Sequence, residues 1–155
     1  MTSQSWLANR WLTEHETSRE EVRELLALVE RDLRDAGVEG LSADWGVSIA
    51  YNAALQLATL ALAVSGYRAA RERSHERVIQ SLRFTIGAEM ELIDTLEGVR
   101  RRRNLGNYER AGAASPSEAA EVRTLAFELR ARVYRWLERE HANLLPPGQE
   151  HRDSD

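Results

Sequence analysis

From Trp45 to Tyr67 the chain reads WGVSIAYNAALQLATLALAVSGY, and no charged residue lies between Asp44 and Arg68. As a helix, this stretch is long enough to cross a bilayer. Polar side chains interrupt it, however, and much of the remainder is alanine, which contributes little to transfer into lipid. A helix that is hydrophobic nearly all round is typical of a bundle core. We therefore expect the buried central helix of a helical bundle, without a membrane association.

Amphipathic segments flank this central helix, which should end near Gly66. Before it, Ser18 and Glu21 have the spacing of a capping box, and apolar residues then recur every three or four positions. This pattern predicts a helix that runs to Ala36 and ends at Gly37. Ser42 or Asp44 is expected to cap the central helix and Ser74 a short helix, and Ser117 with Glu118 is expected to open the last one. The later helices are predicted to be a short one broken by Gly87, a long one from Met90 halted by Gly106, and a last one closed by Pro146 and Pro147.

No segment alternates between apolar and polar residues over the length of a strand. The predicted fold is therefore all-α, an antiparallel helical bundle of four to five helices. We expect residues 1–41 to form an N-terminal segment and a first helix packed on the bundle, and residues 42–145 to form the bundle itself. Residues 146–155 are polar and are expected to be a disordered tail.

Composition excludes several classes of site. The 155 residues are 43% hydrophobic and 30% charged with a net charge of -4, which is typical of one soluble domain. Cysteine is absent, so disulfides and thiolate sites are excluded. All 21 basic residues are arginine, and without lysine there is no Walker-type phosphate loop and no Schiff base. Charged residues interrupt any signal-peptide core near Trp11, so a cytoplasmic location is expected.

The histidines do not predict a metal site. The four of them never pair at the i, i+3 or i, i+4 spacing that places two ligands on one helical face. Neither a nucleophile elbow nor a dinucleotide-binding glycine motif occurs in the sequence. We therefore expect neither a metal nor a cofactor.

Two polar residues inside the central helix admit two interpretations. Asn52 and Gln56 are four residues apart and share a helical face. We expect their side chains either to form hydrogen bonds with each other or with a partner helix, or to contact a ligand. The four tryptophans are expected to be packing or interface residues: Trp6, Trp11, Trp45 and Trp136.

The strongest charge signal is the arginine run at the end of the third long helix. From Glu97 to Arg110 the chain carries five arginines and two glutamates, a local charge of +3 that leaves -7 on all other residues. The helix dipole accounts for one or two cations at a helix C-terminus. Arg100 to Arg103 are consecutive, so their side chains surround the helix and at least one should face the bundle or a partner. A guanidinium so placed needs an anion, and phosphate fits its planar fork.

Beside this run the chain reads Arg103, Asn104, Leu105, Gly106, Asn107, Tyr108. Here it resembles the higher-eukaryote and prokaryote nucleotide-binding (HEPN) domains. These are helical bundles with an arginine, commonly followed by asparagine, and then a histidine a few residues on. The order of elements from about Asp44 to Leu144 is also similar, with His75 heading the short helix.

The resemblance implies a phosphate-binding role for Arg103 and an orienting role for Asn104. Tyr108 stands where the family has histidine, and a tyrosine is poorly matched to proton transfer at neutral pH. It could still donate a hydrogen bond or stack on a base. Contacts to RNA or phosphate are expected from these arginines: Arg100, Arg101, Arg102, Arg103 and Arg110.

Family members are typically metal-independent ribonucleases of toxin or defence type, usually dimers, or partners of nucleotidyltransferases. The resemblance therefore implies a homodimer that binds RNA or a nucleotide with weak or no cleavage, with a nucleotidyltransferase or antitoxin as a further partner. Two alternatives remain open: an active ribonuclease in which Tyr108 or His75 transfers the proton, and a purely structural helical interaction module.

Overall fold

The computed structural model describes residues 3–109 and 114–146, with the backbone alone for residues 104–109. The described part of the chain is predominantly helical. The helices are α1 (Ser3–Ala8), α2 (Arg19–Ala36), α3 (Ala43–Val64), α4 (Ser74–Gln80), α5 (Leu82–Thr85), α6 (Met90–Glu109) and α7 (Pro116–Glu140), with a 3₁₀ turn at Ala142–Leu144. The all-α class is confirmed for these residues. The tail expected to be disordered lies outside them, apart from Pro146.

Helix α3 is the centre of the molecule, as the sequence predicts. It packs along α2 on one side and along α7 on another. Its buried alanines, among them Ala50, Ala54 and Ala58, are small enough to let the neighbouring helices approach closely. Its length and hydropathy would suffice for a membrane span, yet 67% of its most apolar stretch is buried within this chain.

The helix boundaries follow local signals at several positions. The Ser18 hydroxyl accepts a hydrogen bond from the Glu21 amide at 3.1 Å, and the helix ends before Gly37. Ser42 caps α3 in the same way through the Trp45 amide. Gly66, at φ 101°, then turns the chain out of α3 in a conformation that other residues rarely adopt.

One short sheet overturns the expectation that the chain has no strands. Strands β1 (Leu12–Glu14) and β2 (Tyr67–Ala69) pair antiparallel, with Thr13 opposite Arg68. Each strand has three residues, which is too short for an alternating pattern to be visible in the sequence. The pairing ties the N-terminal segment to the end of α3.

Three predicted helix ends were wrong. Helix α6 continues through Gly106 to Glu109, because a glycine costs a helix only about 1 kcal/mol. Ser74 is the first residue of α4 and not its cap, and the cap position is held by Arg73 in a left-handed conformation. The last helix ends at Glu140, before the predicted prolines, although Ser117 and Glu118 lie in its first turn as expected, behind the capping residue Ser115.

The tryptophans differ in their burial. Trp6 and Trp136 are buried, and Trp6 makes edge-to-face contacts with Trp11 and Phe84. Trp45 is 64% exposed, so of the two expected roles it does not pack in the core of this chain, and an interface role stays a prediction. It lies in the first turn of α3, where its side chain points away from the core.

Candidate functional site

The four consecutive arginines lie in the C-terminal half of α6. Because successive helical residues point about 100° apart, each arginine meets a different environment. Two of them are neutralised by carboxylates of this chain, and two are not.

Arg100 is paired with Glu97, one turn earlier on α6. Its Nη2 lies 2.9 Å from Glu97 Oε2, and Glu97 is only 4% exposed. The hydrogen bond to Glu97 raises the pKa of Arg100 above its ordinary value. A buried carboxylate needs such a partner, so Arg100 is occupied by the fold.

Arg102 joins α6 to the first turn of α7. Its Nε lies 2.9 Å from Glu118 Oε1, and its side chain is 60% exposed. An exposed pair of this kind contributes up to about 1 kcal/mol to stability. Arg102 therefore holds two helix ends together and is not a free phosphate ligand.

Arg103 lies against the central helix. Its guanidinium carbon is 5.1 Å from the ring centroid of Tyr51, and its Nε is buried without a hydrogen-bond partner. Buried donors are nearly always paired in native proteins. The arrangement therefore calls for an acceptor that the described part of the chain does not supply.

Tyr51 supplies a second unpaired donor beside the first. It is 1% exposed, and its hydroxyl is also buried without a partner. Burial raises the pKa of Tyr51 to about 12, against the opposing effect of the Arg100 and Arg103 charges. The phenol therefore stays protonated at neutral pH and keeps its hydrogen-bond donor.

Arg101 opens onto a cavity of about 260 Å³ between α5 and α6. Its side chain is exposed and makes no ion pair with any side chain in the described ranges. Arg83 and Phe84 also line the cavity, as do two acidic residues, Asp94 and Glu97. Guanidinium groups beside an aromatic ring can hold a phosphate and a stacked base.

Other predicted site residues lie outside this cluster or outside the description. Asn104 and Tyr108 belong to α6, where only the backbone is described, and Arg110 lies outside the described residues. His75 is exposed on α4 and lines another cavity, to which none of Arg100–Arg103 contributes.

Gln56 is held by a partner helix, in agreement with one of the two interpretations. Its Nε2 donates to Asp32 Oδ2 of α2 at 3.1 Å. Asp32 is buried and also pairs with Arg31 at 3.0 Å. Gln56 therefore joins α3 to α2, while its Oε1 is left buried without a partner.

Sequence reasoning missed Arg83 and Phe84 as site residues and treated Tyr51 as a residue of the apolar stripe. The only local signal in the sequence was Tyr51 itself, because a tyrosine buried in the central helix needs a hydrogen-bond partner for its hydroxyl. Arg83 and Phe84 join the site only through the packing of α5 on α6.

No protein-family description, curated protein or solved structure matches this chain.

Proposed function

We propose that this protein is a HEPN-like RNA- or nucleotide-binding protein of toxin-antitoxin or defence type, with weak or no cleavage. The proposal takes the helical bundle, the arginine run and the Arg103-Asn104 pair as the family's elements. It locates phosphate binding at Arg101 and Arg103, because Arg100 and Arg102 are already paired within the chain.

The observation that carries the proposal is the pair of unpaired donors at Arg103 and Tyr51. One is charged, and the other remains protonated at neutral pH. A phosphate oxygen at Arg103 would accept a charge-assisted hydrogen bond, which is roughly twice as strong as a neutral one.

Arg101 and Arg103 are two residues apart on α6 and point about 200° apart, so the cavity at Arg101 would contact a different part of an extended RNA. Arg83 and Arg101 would meet a neighbouring phosphate, and Phe84 would stack on a base. Asp94 and Glu97 also line this cavity, and their negative charges oppose phosphate binding. The phosphate must therefore lie close to Arg83 and Arg101. Stacking tolerates every base, which favours a ligand recognised with little sequence preference.

Weak or absent cleavage follows from the proton-transfer residues. Tyr108 replaces the family's histidine, and His75 lies at another cavity. General acid-base catalysis contributes about a hundredfold to ten-thousandfold to a rate. Without it, the site would bind RNA far better than it cuts it.

The proposed assembly is a two-fold homodimer with Arg103 near the axis, and a nucleotidyltransferase or antitoxin is the proposed further partner. Closed two-fold dimers are the commonest soluble oligomers. A site at such an axis would bring two copies of Arg103 and Tyr51 to one nucleic acid.

Fluorescence anisotropy with a labelled mixed-sequence RNA tests the proposal. Arg103→Ala is expected to weaken binding by at least about tenfold, because it removes an unpaired charged donor. Arg102→Ala is the matched control, since it removes the same charge from a residue already paired with Glu118. Equal effects of the two substitutions would contradict a specific role for Arg103.

A second candidate function, a helical interaction module, is favoured by a different observation. Arg100 and Arg102 both bind carboxylates of this chain, which is what arginines that serve only the fold would do. If this candidate is correct, wild-type protein will not bind RNA at any salt concentration, and Arg103→Ala will change only its oligomeric state.

A further inference from the structure

A second cavity, of about 430 Å³, lies between α2, α3, β2 and α4, away from the arginine run. Its volume is in the range of small-molecule sites. Leucines from two helices and a valine from a third form an apolar surface: Leu25, Leu28, Leu55, Leu62 and Val78. Leu25, Leu28 and Leu55 are only partly buried, so the cavity leaves apolar surface for a ligand to cover.

Glu21 is the polar group at this cavity that is fixed in position. His15 Nε2 lies 2.8 Å from its Oε1, and the Thr17 hydroxyl donates to the same oxygen at 2.7 Å. His15 is itself anchored, because its amide donates to the Gly66 carbonyl at 2.9 Å. Both side-chain hydrogen bonds go to one oxygen, so within the described chain Oε2 is left to accept from a ligand.

The carboxylate of Glu21 is ionised at neutral pH. Partial burial opposes this, but hydrogen bonds from His15 and Thr17, together with the charges of His15 and Arg68, lower the pKa of Glu21 below its ordinary value. Glu24 adds a second negative charge to the same cavity. Arg68 is an opposing cation, and water screens the charges of Arg68 and Glu24 alike, because both side chains are exposed.

Tyr67 adds a feature that favours the same sign of charge. It lies on β2, is half-buried and lines the cavity beside Arg68. The face of an aromatic ring attracts cations. A fixed carboxylate, a second carboxylate and an aromatic side chain therefore line a cavity whose other walls combine leucines, alanines and a valine with five polar residues: His15, Thr59, Arg68, Ser74 and His75.

We propose that this cavity binds a small hydrophobic amine. The ammonium group donates to Glu21 Oε2, and the apolar body covers the leucines of α2 and α3. The site is separate from the arginine run and does not depend on RNA binding there.

Three probes with the same apolar chain and different heads test the proposal: octylammonium, octanol and octanoate. Isothermal titration calorimetry on the full chain near neutral pH is expected to show octylammonium binding at least about tenfold more tightly than the other two. Butylammonium is expected to bind more weakly than octylammonium, because it covers less of the apolar surface.

Glu21→Gln is expected to abolish the preference for octylammonium over octanol. Its amide oxygen can still accept from Thr17, and a thermal melt shows whether the fold is kept. Glu20→Gln is the matched control, because it removes the same charge from the neighbouring position, which does not line the cavity. The preference should survive in Glu20→Gln.

Three results would overturn the proposal. Octanoate could bind as tightly as octylammonium, which would assign the head group to Arg68. Glu21→Gln could keep the amine preference of the wild type. The third result is that wild-type protein binds none of the probes at millimolar concentration. This result requires no variant.

Discussion

Arg103 and Tyr51 are in contact, and each has a buried donor for which the described residues provide no acceptor. A buried donor that is left unpaired costs about 1–3 kcal/mol of stability. A group with that cost is retained when something other than the fold requires it. Substitutions that remove one of these unpaired donors should therefore raise the stability of the free protein and weaken ligand binding.

Tyr51→Phe separates these two effects. Removing the unpaired hydroxyl while keeping the ring is expected to raise the free energy of unfolding by about 1 kcal/mol, measured by urea denaturation. The same substitution is expected to weaken RNA binding severalfold, because the ligand loses a donor. A loss of stability in Tyr51→Phe would show that the hydroxyl has a partner in the free protein.

The raised pKa of Tyr51 also predicts a dependence of stability on alkaline pH. The folded state holds the phenolic proton until about pH 12, whereas an unfolded tyrosine releases it near pH 10. The unfolded state therefore binds fewer protons in this interval, and stability falls as the pH rises through it. Tyr134, whose pKa burial also raises to about 12, has the same effect.

Between about pH 10 and pH 12, the free energy of unfolding should fall less steeply with pH in Tyr51→Phe than in the wild type. Tyr134 should account for part of the remaining fall. Denaturation midpoints at several alkaline pH values measure it. An unchanged slope in Tyr51→Phe would mean that Tyr51 titrates alike in the folded and unfolded states.

Tyr108→His tests why cleavage is expected to be weak. Histidine can accept and donate a proton at neutral pH, which tyrosine cannot do efficiently. The variant is expected to create or raise ribonuclease activity on a mixed RNA pool, and a second substitution, Arg103→Ala, should remove that activity. If wild-type protein already cuts RNA readily and Tyr108→His changes nothing, the active-ribonuclease alternative replaces the proposed function.

At the scale of helices, α3 and α6 each carry an internal glycine in a different environment. A Cβ at Gly98 would lie 3.3 Å from Arg102 Nη1, the far end of a flexible side chain. A Cβ at Gly46 would lie 3.3 Å from Ala119 Cβ, where α3 meets α7. The first neighbour can move aside, and the second is part of a packed helix contact.

Gly98→Ala is therefore expected to stabilise the protein by about 0.5–1 kcal/mol, the usual gain in a helix interior. Gly46→Ala should gain less or lose stability, because the two helices must separate slightly. Thermal denaturation of the two variants checks the difference. A larger gain at Gly46 would contradict the close approach of α3 and α7.

Periodicity predicted the long helices because it is a local property of the chain. The stripe in α2 and the uncharged stretch of α3 are each sufficient to identify a buried helix. The pairing of β1 with β2 is different, since it joins Leu12 to Ala69 across most of two helices. Three-residue strands have no periodicity to detect, so only the tertiary structure reveals them.

The site was predictable only in part, for the same reason. Consecutive arginines are visible in the sequence, but Glu118 and Tyr51, which decide what Arg102 and Arg103 contact, lie far from them along the chain. The sequence therefore located a cationic helix segment. It could not show which arginines are already neutralised.

At the scale of the whole molecule, the proposed function requires two copies of the chain. Light scattering at micromolar concentration is expected to give twice the chain mass of 17.6 kDa. Because Arg103 is proposed to lie near the two-fold axis, Arg103→Glu would bring two negative charges together and should shift the mass toward the monomer. A monomer mass for the wild-type protein would refute the dimer.

The central claim is that Arg101 and Arg103 bind the phosphates of RNA, and its most direct test is the dependence of RNA affinity on salt. Each phosphate contact to a single strand contributes about 0.7 to the slope of the logarithm of affinity against the logarithm of salt concentration. The double variant Arg101→Ala/Arg103→Ala is predicted to lower the wild-type slope by the contribution of about two contacts. Affinity that does not depend on salt, or a slope that the double variant leaves unchanged, would contradict the claim.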